Sequence, residues 1–208
     1  MDGYKTVKQA AEAVFCDRHS EFISAVIPVS TEEEAISFIE SRKKLHPTAR
    51  HTVYAYIIRD GNTVRYSDDG EPHSTAGVPT LDVLKKSGLC NVCAVTTRYF
   101  GGILLGTGGL VRAYTEAVKQ AVEKAGTAVM GECVFFSAMV EYNDHSKLLS
   151  LLSGINADIS DTVYEEKIKV YFSVPKAECD ELYKKTDDVF CGKLKFTVEK
   201  TAYGVINR

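Results

Sequence analysis

Five glycines, Gly101, Gly102, Gly106, Gly108 and Gly109, fall within nine positions between Arg98 and Arg112. Ordered glycine costs backbone entropy, so such a cluster marks a place where the chain needs positive φ or close backbone approach. The flanks tighten the constraint. Asn91 to Thr97 is apolar at both parities and predicts a strand buried on both faces. Beyond the cluster, Leu110, Val111, Tyr114, Ala117, Val118, Ala121, Val122 and Ala125 recur at helical spacing, with Gly126 as a stop. A buried strand, a glycine-rich connection and a long amphipathic helix call for a mixed α/β fold with helices packed on a sheet.

Strand–glycine–helix units often hold phosphate, and two nucleotide loops are testable by residue. Gly101 and Gly106 have P-loop spacing, but Thr107 stands where a lysine must reach the phosphates. Gly106 and Gly108 fit the first two dinucleotide-fold glycines, but the third position is Val111, and no acidic residue follows at the right distance. Both loops are excluded. A more general anion site survives. The predicted helix has no Asp or Glu in its first turn, and Arg98 and Arg112 bracket it. Arg98, Tyr99, Gly101, Gly102, Gly106, Thr107, Gly108, Gly109 and Arg112 are therefore expected to bind phosphate or RNA through free N–H groups and guanidinium charge. The plainer alternative is a tight turn beside a solvated helix face.

A second dense stretch runs from Asp68 to Gly77. Asp68, Asp69 and Glu71 place three carboxylates in four residues, enough to suggest a metal or an acid–base pair. The EF-hand pattern is not met, and a turn leading into a helix accounts for the same residues. Cys90 and Cys93 form a CxxC entering an apolar strand, with no second pair for zinc, and read as buried small hydrophobes. His46 and His51 have no metal- or triad-like companions, and no nucleophile elbow is present. No catalytic residue and no cofactor are expected.

Elsewhere, Phe22 to Val29 reads as a buried strand, and Ser30-Thr31 with Glu34 as the capping box of a helix ending before Pro47. His51 to Arg59 and Thr63 to Ser67 flank Asp60-Gly61-Asn62 as a hairpin, and Pro79 to Lys86 reads as a short helix. From Cys133 the pattern is strand (to Tyr142), helix capped by Asp144, strands near Ile155–Tyr164 and Lys167–Val174, a helix opened by Pro175, and a strand over Lys193–Lys200. That order, βαββαβ, is ferredoxin-like. Two domains are expected, 1–130 and 131–208. In the second, Lys167, Lys169, Tyr171, Lys193 and Lys195 alternate with apolar residues and should share an open sheet face, a secondary surface for RNA or an acidic partner.

Charge bounds the partners. The net charge is −3, and of 25 basic and 28 acidic residues, 10 and 13 fall from Glu132 onward, leaving the first 131 balanced. Neither half is a basic domain, so high-affinity duplex DNA binding is not expected. The charged start has no apolar signal region and no stretch is long enough for a membrane span, so the expectation is a cytoplasmic protein without membrane partners.

Three stretches carry a family resemblance: HPTARHTVYAY (46–56), SDDGEPHSTAGVPTLDVL (67–84) and NVCAVTTRYFGGILLGTGGLVRAYTEAV (91–118). Together they closely resemble the YigZ/IMPACT family, and its bacterial branch in particular. The resemblance implies a ribosomal protein S5 domain 2-like N-terminal domain and a ferredoxin-like C-terminal domain, a pair similar to the last two domains of elongation factor G. It also implies a role in regulating translation, with RNA, the ribosome, or translation-factor and regulatory proteins as partners. Relatives of the first fold bind RNA, and others hold phosphate with a glycine-rich loop. One departure is visible: the family pattern Gly-Thr-Ala-Gly reads Ser74-Thr75-Ala76-Gly77 here. The expected function is a non-catalytic translation-associated RNA or ribosome binder. The alternatives are an enzyme or binding protein for a phosphorylated or nucleotide ligand, with Asp68, Asp69 or Glu71 holding metal or acting as base, and a regulator that binds proteins alone.

Overall fold

The computed structural model describes residues 3–207. It divides into two compact units, Lys5–Thr127 and a second from Ala128 onward that includes Gly3 and Tyr4.

After the short strand β1 (Tyr4–Val7), the first unit builds an antiparallel sheet from β2 (Ala11–Asp17), β3 (Ser20–Pro28), β4 (His51–Ile58), β5 (Thr63–Ser67) and β6 (Val92–Tyr99). The order is β2-β3-β6-β4-β5. Three helices cover it: α1 (Glu32–Leu45), α2 (Gly77–Lys86) and α3 (Gly106–Ala125). Central β6 is buried along nearly its whole length, as its unbroken apolar run requires. Strand alternation sends Cys93 and Val95 toward Ala35 and Ile39 of α1, and Ala94 toward Leu84 of α2 and Val118 of α3.

The expected local signals are realised. Thr31 Oγ1 accepts the Glu34 N–H at 3.2 Å, and Glu34 Oε2 accepts the Ser30 N–H at 2.6 Å, closing the capping box of α1. α3 ends at Gly126, whose φ of 65° only glycine adopts freely. β2 carries no strand signature: its Ala11-Glu12-Ala13 run is helix-prone, and only full-length pairing with β3 makes it a strand.

The second unit contains β7 (Thr127–Val140), α4 (Tyr142–Ser153), β8 (Asp158–Tyr164), β9 (Ile168–Pro175), α5 (Cys179–Phe190) and β10 (Phe196–Asn207). Its strands run β10-β7-β9-β8, all antiparallel, with both helices on one face, the ferredoxin-like arrangement. Phe136, Phe172, Leu148, Leu152 and Leu182 centre its core. Several boundaries differ from expectation: β7 starts at Thr127 rather than Cys133, and α4 already begins at Tyr142. Glu141 rather than Asp144 occupies the α4 N-cap, leaving Asp144 in the first turn. Pro175 is still the last paired residue of β9, opposite Cys133, and opens only a 3-10 turn, Lys176–Glu178, ahead of α5. β10 begins only at Phe196. No helix among the described residues is long and apolar enough to cross a membrane.

Candidate functional site

The glycine cluster joins β6 to α3, and its members are there for different reasons. Gly101 packs against the β2–β3 turn so closely that a Cβ would fall inside the His19 carbonyl, and its N–H donates to Ser20 Oγ at 3.1 Å. Gly102 and Gly106 have φ of 84° and 72°. A Cβ on Gly109 would sit 3.0 Å from Leu105 Cβ. Gly108 answers to none of these demands: its φ is helical, and a Cβ there would meet nothing within 4 Å.

α3 opens at Gly106 with Leu105 in the N-cap position and no side-chain cap. Gly106, Thr107 and Gly108 are exposed, the first turn has no acidic residue, and Arg112 lies exposed one turn further on. No Asp or Glu occurs between Asp82 and Glu116. Four N–H groups of a helix start lack intrahelical partners, so this end is an uncapped positive terminus. The loop before it exposes apolar residues: Leu104 is 81% exposed, with Phe100 and Ile103 about half exposed. Arg18 Nη1 donates to the Leu104 carbonyl at 3.3 Å and brings a further charge to the loop.

Arg98 stands apart from that open end. Its Nη1 lies 2.7 Å from Glu71 Oε1, and both side chains are almost fully buried. The Tyr114 hydroxyl donates to the same oxygen at 2.8 Å. The guanidinium carbon is 5.4 Å from the Phe22 ring centre and 5.6 Å from that of Phe100, while Nε has no partner. Its charge is thus satisfied inside the protein. Burial, then the Glu71 charge, pushes the Tyr114 phenol well above its ordinary value. Tyr99, next in the strand, points to the opposite sheet face, where its hydroxyl pairs with His46 Nδ1 at 3.0 Å.

The carboxylate-rich loop is also turned inward. Asp68 Oδ1 accepts the Ala76 and Gly77 N–H groups at 3.0 and 2.8 Å, and Oδ2 accepts that of Ser74 at 2.9 Å. Asp68 therefore caps α2 from nine residues away. Burial raises its pKa, but the three N–H bonds outweigh that and hold the carboxyl below its usual range. Asp69 Oδ2 accepts the Thr52 N–H at 2.6 Å, and Glu71 is the partner of Arg98 and Tyr114. Among the described residues no cluster of three His, Cys, Asp or Glu side chains could hold a metal. Ser74 adopts φ of 62°, in the left-handed region that glycine occupies freely. The two dense motifs do meet, through Glu71, which ties the Asp68–Gly77 loop to β6 and α3. Cys93 is buried, which pushes its thiol up to about 12, and burial raises Cys90 too.

In the second unit the lysines divide. Lys169 and Tyr171 lie on the sheet face away from the helices. Lys167 sits before β9 and pairs with Glu141 at 2.7 Å. Lys193 and Lys195 precede β10 and are not on its face. The face instead carries Lys200, whose Nζ lies 4.9 Å from the Phe135 ring centre. A register shift between Val198 and Lys200 puts it there, and strict alternation along the sequence hides such a shift.

A sequence model of the Impact N-terminal domain matches residues 18–122, and one of a domain of unknown function, DUF1949, matches residues 140–193. The IMPACT family member YvyE of Bacillus subtilis is 48% identical over 61% of this chain, a stretch covering only 58% of YvyE. The IMPACT family member YigZ of Escherichia coli is 35% identical over 86% of this chain and 89% of its own length. A crystal structure described as that of a hypothetical protein superposes with a TM-score of 0.61 at 32% identity, covering 96% of this chain and 98% of that one. With both domains matched and the likeness running through most of its length, the chain belongs to the YigZ/IMPACT family.

Proposed function

We propose that this protein is a non-catalytic, translation-associated binding protein that docks on the ribosome or on structured RNA. The contact is made by the exposed start of α3, Gly106 to Gly108, together with Arg112. Arg98 and Tyr99 act behind it: Arg98 holds the loop through Glu71 and does not itself touch phosphate. The single observation that carries the reading is Gly108. It costs helix stability and meets no neighbour, which makes sense where a phosphate approaches the backbone. Asp68, Asp69 and Glu71 each accept hydrogen bonds from the protein's own groups, which supports binding over metal-assisted chemistry on a phosphorylated ligand.

Co-sedimentation with ribosomes over a range of salt tests the reading. Arg112→Ala should weaken binding and reduce the salt slope by about one unit, the signature of one lost phosphate contact. Equal binding by both forms rules out the site, and no binding by the wild type rules out docking. A second reading, contact with a protein partner, is favoured by exposed Phe100, Ile103 and Leu104. It predicts that Leu104→Ser abolishes partner capture while Arg112→Ala leaves it unchanged.

A further inference from the structure

The sheet of the second unit has one face covered by α4 and α5 and one that its own helices leave open. A single exposed apolar residue on such a face is ordinary, whereas neighbouring aromatic rings call for a reason. Two aromatic rings occupy its two central strands: Phe135 on β7 and Tyr171 on β9, both partly exposed. In the register Phe135 faces Ser173 and Ser137 faces Tyr171. The four form a square, with the rings on one diagonal and buried serines on the other. Diagonal residues in an antiparallel pair stand about 7–8 Å apart. Small serines stand between the rings, so no bulky side chain separates them, and a planar group reaches a ring by displacing the flexible lysine that covers it.

Each ring has an ammonium over it. Lys200 Nζ lies 4.9 Å from the Phe135 centre and Lys169 Nζ 4.8 Å from the Tyr171 centre. Both lysines are on long flexible stems, so displacing them costs little, and they remain within reach of a phosphate. Acidic residues share the neighbourhood: Glu199 accepts the Ser137 hydroxyl at 2.7 Å, and Asp161 lies opposite Tyr171 on β8. The face is therefore no general phosphate magnet. Its chemistry is planar stacking with two cations for orientation, the combination that unpaired bases require.

We propose that this face binds single-stranded RNA, stacking successive bases on Phe135 and Tyr171 while Lys169 and Lys200 contact the intervening phosphates. The proposal deepens the RNA-binding reading above and rests on it, but uses a different unit and different physics. Docking through α3 is electrostatic, whereas this contact is carried by stacking and survives moderate salt. With two phosphates involved, the logarithm of affinity should fall against that of salt with a slope of only about −1.4.

The chain has no Trp, so Phe135→Trp supplies a single indole whose emission reports on stacking. Short single-stranded oligomers of uridine and of adenosine are titrated into the full-length Phe135→Trp protein, with Tyr171→Phe and Tyr171→Leu added to it. Saturable quenching is expected, retained with Tyr171→Phe. Tyr171→Leu, which keeps apolar bulk, should weaken it roughly five- to 150-fold, the worth of one stacked base. Thermal unfolding of each variant verifies that the sheet is intact. A folded Phe135→Trp protein that no oligomer quenches overturns the proposal, as does equal affinity of the Phe and Leu forms. Quenching by ribosomal proteins but not by oligomers overturns it too, in favour of a protein-binding face. Wild-type ribosome binding measured in parallel separates the two readings: intact docking without quenching removes only this proposal, whereas quenching without an Arg112 effect removes only the α3 site.

Discussion

Glu71 and Arg98, 27 residues apart in sequence, form an ion pair 2.7 Å long that is closed off from solvent on both sides. The Tyr114 hydroxyl shares the same carboxylate oxygen, so one buried carboxylate joins a loop, the central strand and the longest helix. A buried pair contributes little net stability, but removing one partner leaves an uncompensated charge.

Glu71→Ala and Arg98→Ala should therefore each cost about 3–5 kcal/mol in urea unfolding. The double change to Glu71→Leu with Arg98→Met should cost less than either alone, since no stranded charge remains. Single-variant losses under about 1 kcal/mol would contradict the buried-pair account.

Ser74 holds a left-handed backbone that glycine adopts without steric cost. Its φ of 62° disfavours a Cβ, and Ser74→Gly should stabilise the protein by about 0.5–1 kcal/mol after glycine's own entropy cost. Ser74→Val should destabilise it, because β-branching tolerates that region least. Thermal unfolding of the pair gives the sign directly.

His46 ties α1 to β6 in its neutral form. Arg42 Nη2 donates to Nε2 at 3.1 Å, so Nδ1 carries the proton and donates to the Tyr99 hydroxyl oxygen at 3.0 Å. Burial, then the Arg42 charge, lowers its pKa from 6.5. The unfolded chain thus takes up the proton first, and this part of the stability is full above about pH 6.5 and lost as pH falls toward the lower folded value. His46→Gln should flatten the unfolding free energy across that interval. An unchanged slope would contradict the assignment.

Gly101 and Gly108 should respond to alanine in opposite ways. Gly101→Ala drives a Cβ into the His19 backbone and should destabilise the unit by more than about 1–3 kcal/mol, the usual cost of overpacking. Gly108→Ala meets nothing and should stabilise α3 by about 0.5–1 kcal/mol. Its ribosome binding should nevertheless fall. Calorimetry with co-sedimentation checks both halves.

Local chemistry is what the sequence alone determined here. The capping box at Thr31 and Glu34, the stop at Gly126, the doubly buried β6 and the helical stripe of α3 each depend on contacts within a few residues or on one face of one element. Such signals are readable before the chain folds. The βαββαβ order of the second unit follows from the same evidence.

Tertiary structure decided the rest, because it depends on partners distant in sequence. β2 is a strand only through β3, against the helical preference of its alanines. The shift at Val198 to Lys200 puts a lysine on the open face where alternation expects Lys193 and Lys195. Most of all, charge in a sequence looks free until its counter-charge is located. Asp68, Asp69, Glu71 and Arg98 all read as groups available to a ligand, and the fold binds each of them within the protein. What stays open is the end of α3 with Arg112, since its backbone N–H groups meet no acidic side chain in their own first turn.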